Sequence, residues 1–139
     1  MEKFIITSKK LLGTLFALLL VSSIVLGSAA SASNNTTTIK SMEVNTYKGK
    51  ASITRGSRDA SWSTSFVDSA VKCKVSGTYS YRSTSSGSLT SGVKVEKVSG
   101  TAAASTTRLL SSGLVFESIT GKHTATNSGV TVTKNTSNP

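Results

Sequence analysis

From residue 33 onward this chain alternates. Apolar and polar residues exchange places at every second position, and Gly49, Gly56, Gly77, Gly87, Gly92, Gly100, Gly113, Gly121 and Gly129 cut the pattern. A period of two belongs to a strand with one buried face; an amphipathic helix would repeat near 3.6. Between the glycines lie short runs rich in Val, Ile, Thr, Tyr and Phe, the residues that suit a pleated, half-buried surface. Several of the glycines follow Ser or Asn-Ser, a pairing that favours tight turns.

The alternation predicts strands over Ile39–Tyr47, Ala51–Arg55, Ser61–Asp68, Val71–Arg82, Val93–Val98, Leu114–Thr120, His123–Thr126 and Val130–Lys134. On these strands Trp62, Thr64 and Phe66 share one face. Val71, Cys73, Val75, Tyr79 and Tyr81 share another, with Gly77 as a candidate bulge. Only Thr101–Leu110 (TAAASTTRLL) reads as a helical turn or short helix. A solenoid needs a fixed repeat, but the glycine spacings are 7, 21, 10, 5, 8, 13, 8 and 8, so that architecture is set aside. The expected fold is all-β: a single small antiparallel β-sandwich or barrel of about 7–8 short strands.

The segment before residue 33 has a different character. Lys3, Lys9 and Lys10 precede an apolar run, Leu11–Leu26, which ends in Ala30-Ser31-Ala32. A positive start, an apolar stretch and a small-x-small end describe a secretory signal peptide. The run of 16 residues is shorter than the ~20 needed to span a bilayer, so removal is preferred over a retained anchor. The expected organisation is therefore a signal peptide over 1–32, a flexible leader over 33–38 (SNNTTT) and a β-rich domain over 39–139. The expected location is secreted or extracellular, including association with the cell wall; the composition suits a Gram-positive bacterium.

Charge narrows the partners. After residue 32 there remain 13 basic and 5 acidic residues, a balance of +8. A field of that sign draws anions over a long range. Outside a bacterial cell the candidates are an anionic cell-wall polymer, an anionic membrane surface or an acidic protein. The basic residues are dispersed with no run of five like charges, so this is not a basic tail, and no specific nucleic-acid contact is expected.

Catalytic and metal chemistry finds little support. His123 is the single histidine, and no Gly-x-Ser-x-Gly elbow is present. In the sequence Gly121-Lys122-His123-Thr124, His123 reads as an exposed residue at a strand start rather than a catalytic base. One Cys and one His leave no clustered ligand set for zinc. No phosphate-binding glycine loop occurs, and no cofactor is expected. Cys73 lies in Val71-Lys72-Cys73-Lys74-Val75 and reads as a small core residue. A lone cysteine cannot form an internal disulfide.

Two patches carry functional weight. Lys48, Lys50, Arg55 and Arg58 fall within eleven residues, where Lys and Arg beside Gly would cradle phosphates; these four are the candidate binding residues. The strand Val71–Arg82 places Lys72 and Lys74 opposite Cys73, which also suits an edge strand protected from aggregation. The expected function is a secreted, non-enzymatic cationic β-domain binding an anionic cell-surface polymer or an extracellular partner. The first alternative is a bacteriocin-like or pore-forming protein acting on membranes through a hairpin over Ser76–Gly100. The second is an inhibitor of an extracellular enzyme.

Overall fold

The computed structural model describes residues 35–139. The export signal read over residues 1–32 lies outside them. Eight strands follow in order: β1 (Thr36–Val44), β2 (Tyr47–Arg55), β3 (Asp59–Phe66), β4 (Lys72–Ser83), β5 (Leu89–Thr101), β6 (Ala103–Leu109), β7 (Leu114–Asn127) and β8 (Val130–Asn138). They form two antiparallel four-stranded sheets, ordered β1-β2-β3-β6 and β5-β4-β7-β8. The fold is an all-β sandwich, as the alternation predicts.

Alternation sets the sidedness of both sheets. β3 buries Ala60, Trp62, Thr64 and Phe66, while the serines between them stay half-exposed. β4 buries Cys73, Val75 and Tyr79 and exposes Lys72 and Lys74. The two inner faces meet over Trp62, Met42, Ile53, Val75 and Ile119. Tyr79 lies between Trp62, at 6.3 Å, and Phe116, at 5.3 Å and edge-on, the offset geometry that aromatic quadrupoles favour.

Four local readings are corrected. The stretch 33–38 is not all leader, because β1 begins at Thr36 and pairs Thr36–Thr38 with Ile53–Arg55. Threonine is β-branched and suits a strand, and Thr37 and Thr54 join hydroxyls at 3.0 Å. The helical turn read over Thr101–Leu110 is strand β6, paired with β3 from Asp59 to Ser65. Ala102, at φ 63°, turns the chain out of β5 and across to the other sheet. Its carbonyl accepts from Phe66 N–H at 2.7 Å, and its N–H donates to Val71 O at 2.8 Å. Finally, the two strands read over Leu114–Thr120 and His123–Thr126 are one strand, β7, running through Gly121. Gly77 in turn lies opposite a bulge rather than in it. Between Val75 and Gly77 the pairing on β5 moves from Val98 to Val95, so the extra residue belongs to β5.

The edge strands β1 and β8 belong to different sheets but are stitched together. Lys40 Nζ donates to Asn135 O at 2.8 Å, Thr38 Oγ1 to Ser137 O at 3.2 Å, and Asn138 Nδ2 to Thr36 O at 2.8 Å. These bonds cover two edges that would otherwise template pairing with another chain.

Cys73 is fully buried, as its apolar-charged neighbourhood predicts. Burial pushes its thiol pKa up, so little nucleophilic thiolate forms. A thiol reagent is expected to leave the native protein unlabelled at pH 7.5 and to label it fully in denaturant. Mass spectrometry before and after unfolding checks this, and rapid native labelling would contradict the packing.

Candidate functional site

The four residues nominated from sequence divide into two pairs. Lys48 and Lys50 stand exposed on the outer face of the first sheet, in register with Glu43 and Ser41. Arg55 lies at the far end of β2, roughly 17 Å from Lys50 and roughly 23 Å from Lys48 at strand rise. There it clamps the C-terminus: Nη2 donates to Pro139 O at 2.7 Å, Nη1 to Phe116 O at 3.2 Å and Nε to Asn138 Oδ1 at 3.3 Å. Arg58 Nη2 donates to Leu110 O at 2.9 Å. Residues close in sequence are drawn apart along an extended strand, and the two arginines are engaged in holding strand ends.

His123 is not at an exposed strand start. It lies inside the sandwich with 0% exposure, between Thr64 and Thr136. Nδ1 is 3.0 Å from Thr64 Oγ1 and Nε2 is 2.9 Å from Thr136 Oγ1. Thr64 Oγ1 also donates to Lys74 O at 3.1 Å. With that single hydroxyl proton committed, Nδ1 carries a proton and donates to Thr64, while Nε2 accepts from Thr136. Burial pushes the His123 pKa down, and a backbone hydrogen bond with Ser63 opposes this only in part. A ring sealed in this way cannot meet a substrate unless the sandwich opens. Among the described residues, no three of His, Cys, Asp and Glu gather to hold a metal ion.

Among the described residues, a concentration of exposed positive charge lies elsewhere, on the outer face of the second sheet. Lys72 and Lys74 from β4, Lys94 and Lys97 from β5, and Lys122 from β7 are all exposed. Register brings them together: Ser76 pairs with Lys122, Thr78 with both Lys94 and Thr120, and Lys74 with both Ser99 and Thr124. Two acidic residues share these strands with them, Glu96 between Lys94 and Lys97 on β5 and Glu117 on β7. Glu96 is exposed in the β5 bulge, and Glu117 is bound at 2.7 Å by Arg82. That bond holds the Glu117 carboxyl below its ordinary range and the Arg82 guanidinium above its own.

This face is hollowed rather than flat. A depression of about 620 Å³ is lined by Lys40, Thr78, Lys94, Thr120, Lys122 and Ser137, with Gly77 and Gly121 at its floor. A second, of about 240 Å³, is lined by Lys74, Ser76, Lys97, Lys122 and Thr124. The two share Ser76 and Lys122 and so adjoin. The glycines account for the floor. Gly77 and Gly121 pair directly across β4 and β7, and neither has a side chain to hold the sheet off the core. A Cβ at Gly77 would meet the Trp62 indole nitrogen, and one at Gly121 would meet His123 Nε2, Thr136 Oγ1 and Ile53. Trp62 Nε1 donates to Thr120 O at 2.8 Å, fastening the sheet where it comes closest to the core.

No family model matches this chain, and no curated protein matches it. The alternation around Cys73 already places Lys72 and Lys74 on this outer face. Lys94, Lys97 and Lys122 join them only through the pairing of β4 with β5 and β7, which local sequence does not encode. The Ser76–Gly100 hairpin forms part of this sheet, with Tyr79, Val93, Val95 and Val98 packed on the core. Among the described residues no helix is long and apolar enough to cross a membrane.

Proposed function

We propose that this protein is a secreted, non-enzymatic β-sandwich that binds an anionic cell-surface polymer through the outer face of β5-β4-β7-β8. The carrying observation is the convergence of Lys72, Lys74, Lys94, Lys97 and Lys122 on one hollowed face. An exposed lysine contributes little alone, because water and salt screen it. Five on one surface act together, raising the local concentration of a polyanion and holding it by many weak contacts. The first sheet offers only Lys48 and Lys50 on its outer face, with Glu43 opposite Lys48, and so makes the weaker field.

The test is co-sedimentation of the purified protein with teichoic-acid-bearing cell walls at low and high salt. Replacing Lys72, Lys74, Lys97 and Lys122 with Glu is expected to weaken low-salt binding by at least about tenfold, equivalent to ~1.4 kcal/mol. Lys48→Glu with Lys50→Glu is expected to change it by less than about threefold, since each exposed charge is worth under ~1 kcal/mol. A wild-type protein that fails to bind walls at low salt, or one whose binding ignores salt, would refute the proposal. A larger loss from the Lys48/Lys50 pair would move the site to the other sheet.

A further inference from the structure

We infer that the two adjoining depressions form one groove that takes consecutive units of a polyol-phosphate or sugar-phosphate polymer; this rests on the reading of the lysine face as a polyanion site. Shape is the first reason. The depressions share Lys122 and Ser76 and step along the strands from Lys94 to Lys74, so the site is elongated. A chain-like ligand fills it better than a single ion does. A two-residue step along a strand is ~6.6–6.8 Å, room for one charged unit in each hollow.

Donor chemistry is the second reason. Each hollow mixes lysines with hydroxyls: Lys94 and Lys122 with Thr78, Thr120 and Ser137 in one, and Lys74 and Lys97 with Ser76 and Thr124 in the other. Lysine is a point charge with three N–H donors, well suited to the separated oxygens of a tetrahedral phosphate. Ser and Thr both donate and accept, which is what the hydroxyls of a polyol or sugar between phosphates require. Thr78 Oγ1 and Thr120 Oγ1 lie 2.6 Å apart in the groove. One donates to the other, leaving a single O–H and several lone pairs for a ligand.

The same inventory disfavours other polyanions. Among the described residues no arginine lines the groove: Arg55, Arg58 and Arg82 are bonded within the fold and the exposed Arg108 stands on β6 of the other sheet, so anions there meet lysine point charges and hydroxyls instead of a guanidinium fork. Nucleic-acid bases stack on aromatic rings, but Trp62, Phe66, Tyr79 and Phe116 are buried and Tyr47 and Tyr81 are half-buried against the core, and none of them lines the groove. Lys40 closes one rim, with Nζ held on Asn135 O at 2.8 Å and two N–H groups left over.

The experiment compares soluble poly(glycerol phosphate) with polyglutamate in calorimetric titrations at low salt. It uses wild type, the Thr78→Val/Thr120→Val double variant and the Lys94→Gln/Lys122→Gln double variant. Valine keeps the branched shape on an outer face, and a melting curve confirms that the fold survives. The lysine variant is expected to weaken both polymers. The valine variant is expected to weaken poly(glycerol phosphate) about fivefold, the size of one net hydrogen bond, and to leave polyglutamate within about twofold. A valine variant that changes neither polymer, or weakens both alike, overturns the groove while leaving the lysine face standing. Binding to vesicles of anionic phospholipid but not to the free polymer also overturns it. Binding of wild type to neither polymer nor vesicles removes the wider reading and the groove together.

Discussion

Gly77→Ala is expected to destabilise the fold by about 3 kcal/mol or more, the scale of severe core disruption, and to lower Tm by roughly 12–24 °C for a domain of this size. A methyl group at residue 77 would land on the Trp62 indole nitrogen and crowd Thr120 O at 2.6 Å. Those atoms are donor and acceptor of one bond, Trp62 Nε1 to Thr120 O at 2.8 Å. The methyl therefore breaks the bond and pushes apart two sheets whose interior is close-packed. Thr120 O is backbone in a strand paired on both sides, so the sheet cannot easily yield. Gly92→Ala is the matched control. Its Cβ would meet nothing within 4 Å, but the backbone sits at φ +72°, and the left-handed conformation costs alanine about 1–2 kcal/mol. Thermal melts of the two variants separate steric from conformational cost. Trp62→Phe in the Gly77→Ala background should recover part of the loss, because the ring no longer projects its nitrogen at the methyl; the clash with Thr120 O persists. Equal melting temperatures for Gly77→Ala and wild type would mean that the sheets do not meet here.

The residues explain why part of this molecule was legible in advance. In β3 the alternate residues Ala60, Trp62 and Phe66 are apolar, with Thr64 the one polar member of the series, and Val71, Cys73 and Val75 alternate into β4, so both sidedness and core can be read locally. The failures share a cause: local signals overridden by pairing. Thr101–Leu110 carries three alanines, which favour helix by propensity, yet Ala104 and Thr106 face inward once β6 lies beside β3. Gly121-Lys122-His123 looks like a turn, but Gly121 sits mid-strand because a side chain there would strike His123. The burial of His123 was visible in phase. Ile119, Gly121, His123, Ala125 and Asn127 all share one parity, and all are buried. The lysine face was half visible, at Lys72 and Lys74. Its other half depends on pairings between residues 16 to 50 positions apart in sequence, and a bulge in β5 shifts that register once more. The cluster Lys48, Lys50, Arg55 and Arg58 shows the converse: nearness in sequence becomes distance along an extended strand.

The stability of the protein is expected to fall as pH drops below about 6.5, an ordinary histidine pKa. His123 is buried and its folded pKa is pushed down, chiefly by the loss of water around the charged form. The sign follows directly. Between the folded and unfolded pKa values the unfolded chain binds the proton and the folded chain does not, so protons favour unfolding. The stabilisation is complete above the unfolded pKa and is lost as pH falls toward the lowered folded one, at up to about 1.4 kcal/mol per pH unit. Hydrogen bonding offers little relief. Thr136 can turn its lone pairs to a protonated Nε2, but no carboxylate is bonded to the ring, and the residue paired with His123 on β8 is Lys134. Urea titrations at pH 7.5, 6.5, 5.5 and 5.0 should show the midpoint falling with unchanged slope. His123→Gln keeps a polar partner for Thr136 but cannot titrate. It should start less stable at pH 7.5 and stay level down to pH 5. A wild-type midpoint that is flat from pH 7.5 to 5.0, or a variant that falls in parallel with it, would mean that the ring accepts its proton without opening the core. His123 is sealed in the core, away from the exposed lysines of the binding face. Polymer binding measured on the folded protein should therefore hold constant while stability declines, which separates a pH effect on the core from one on the surface.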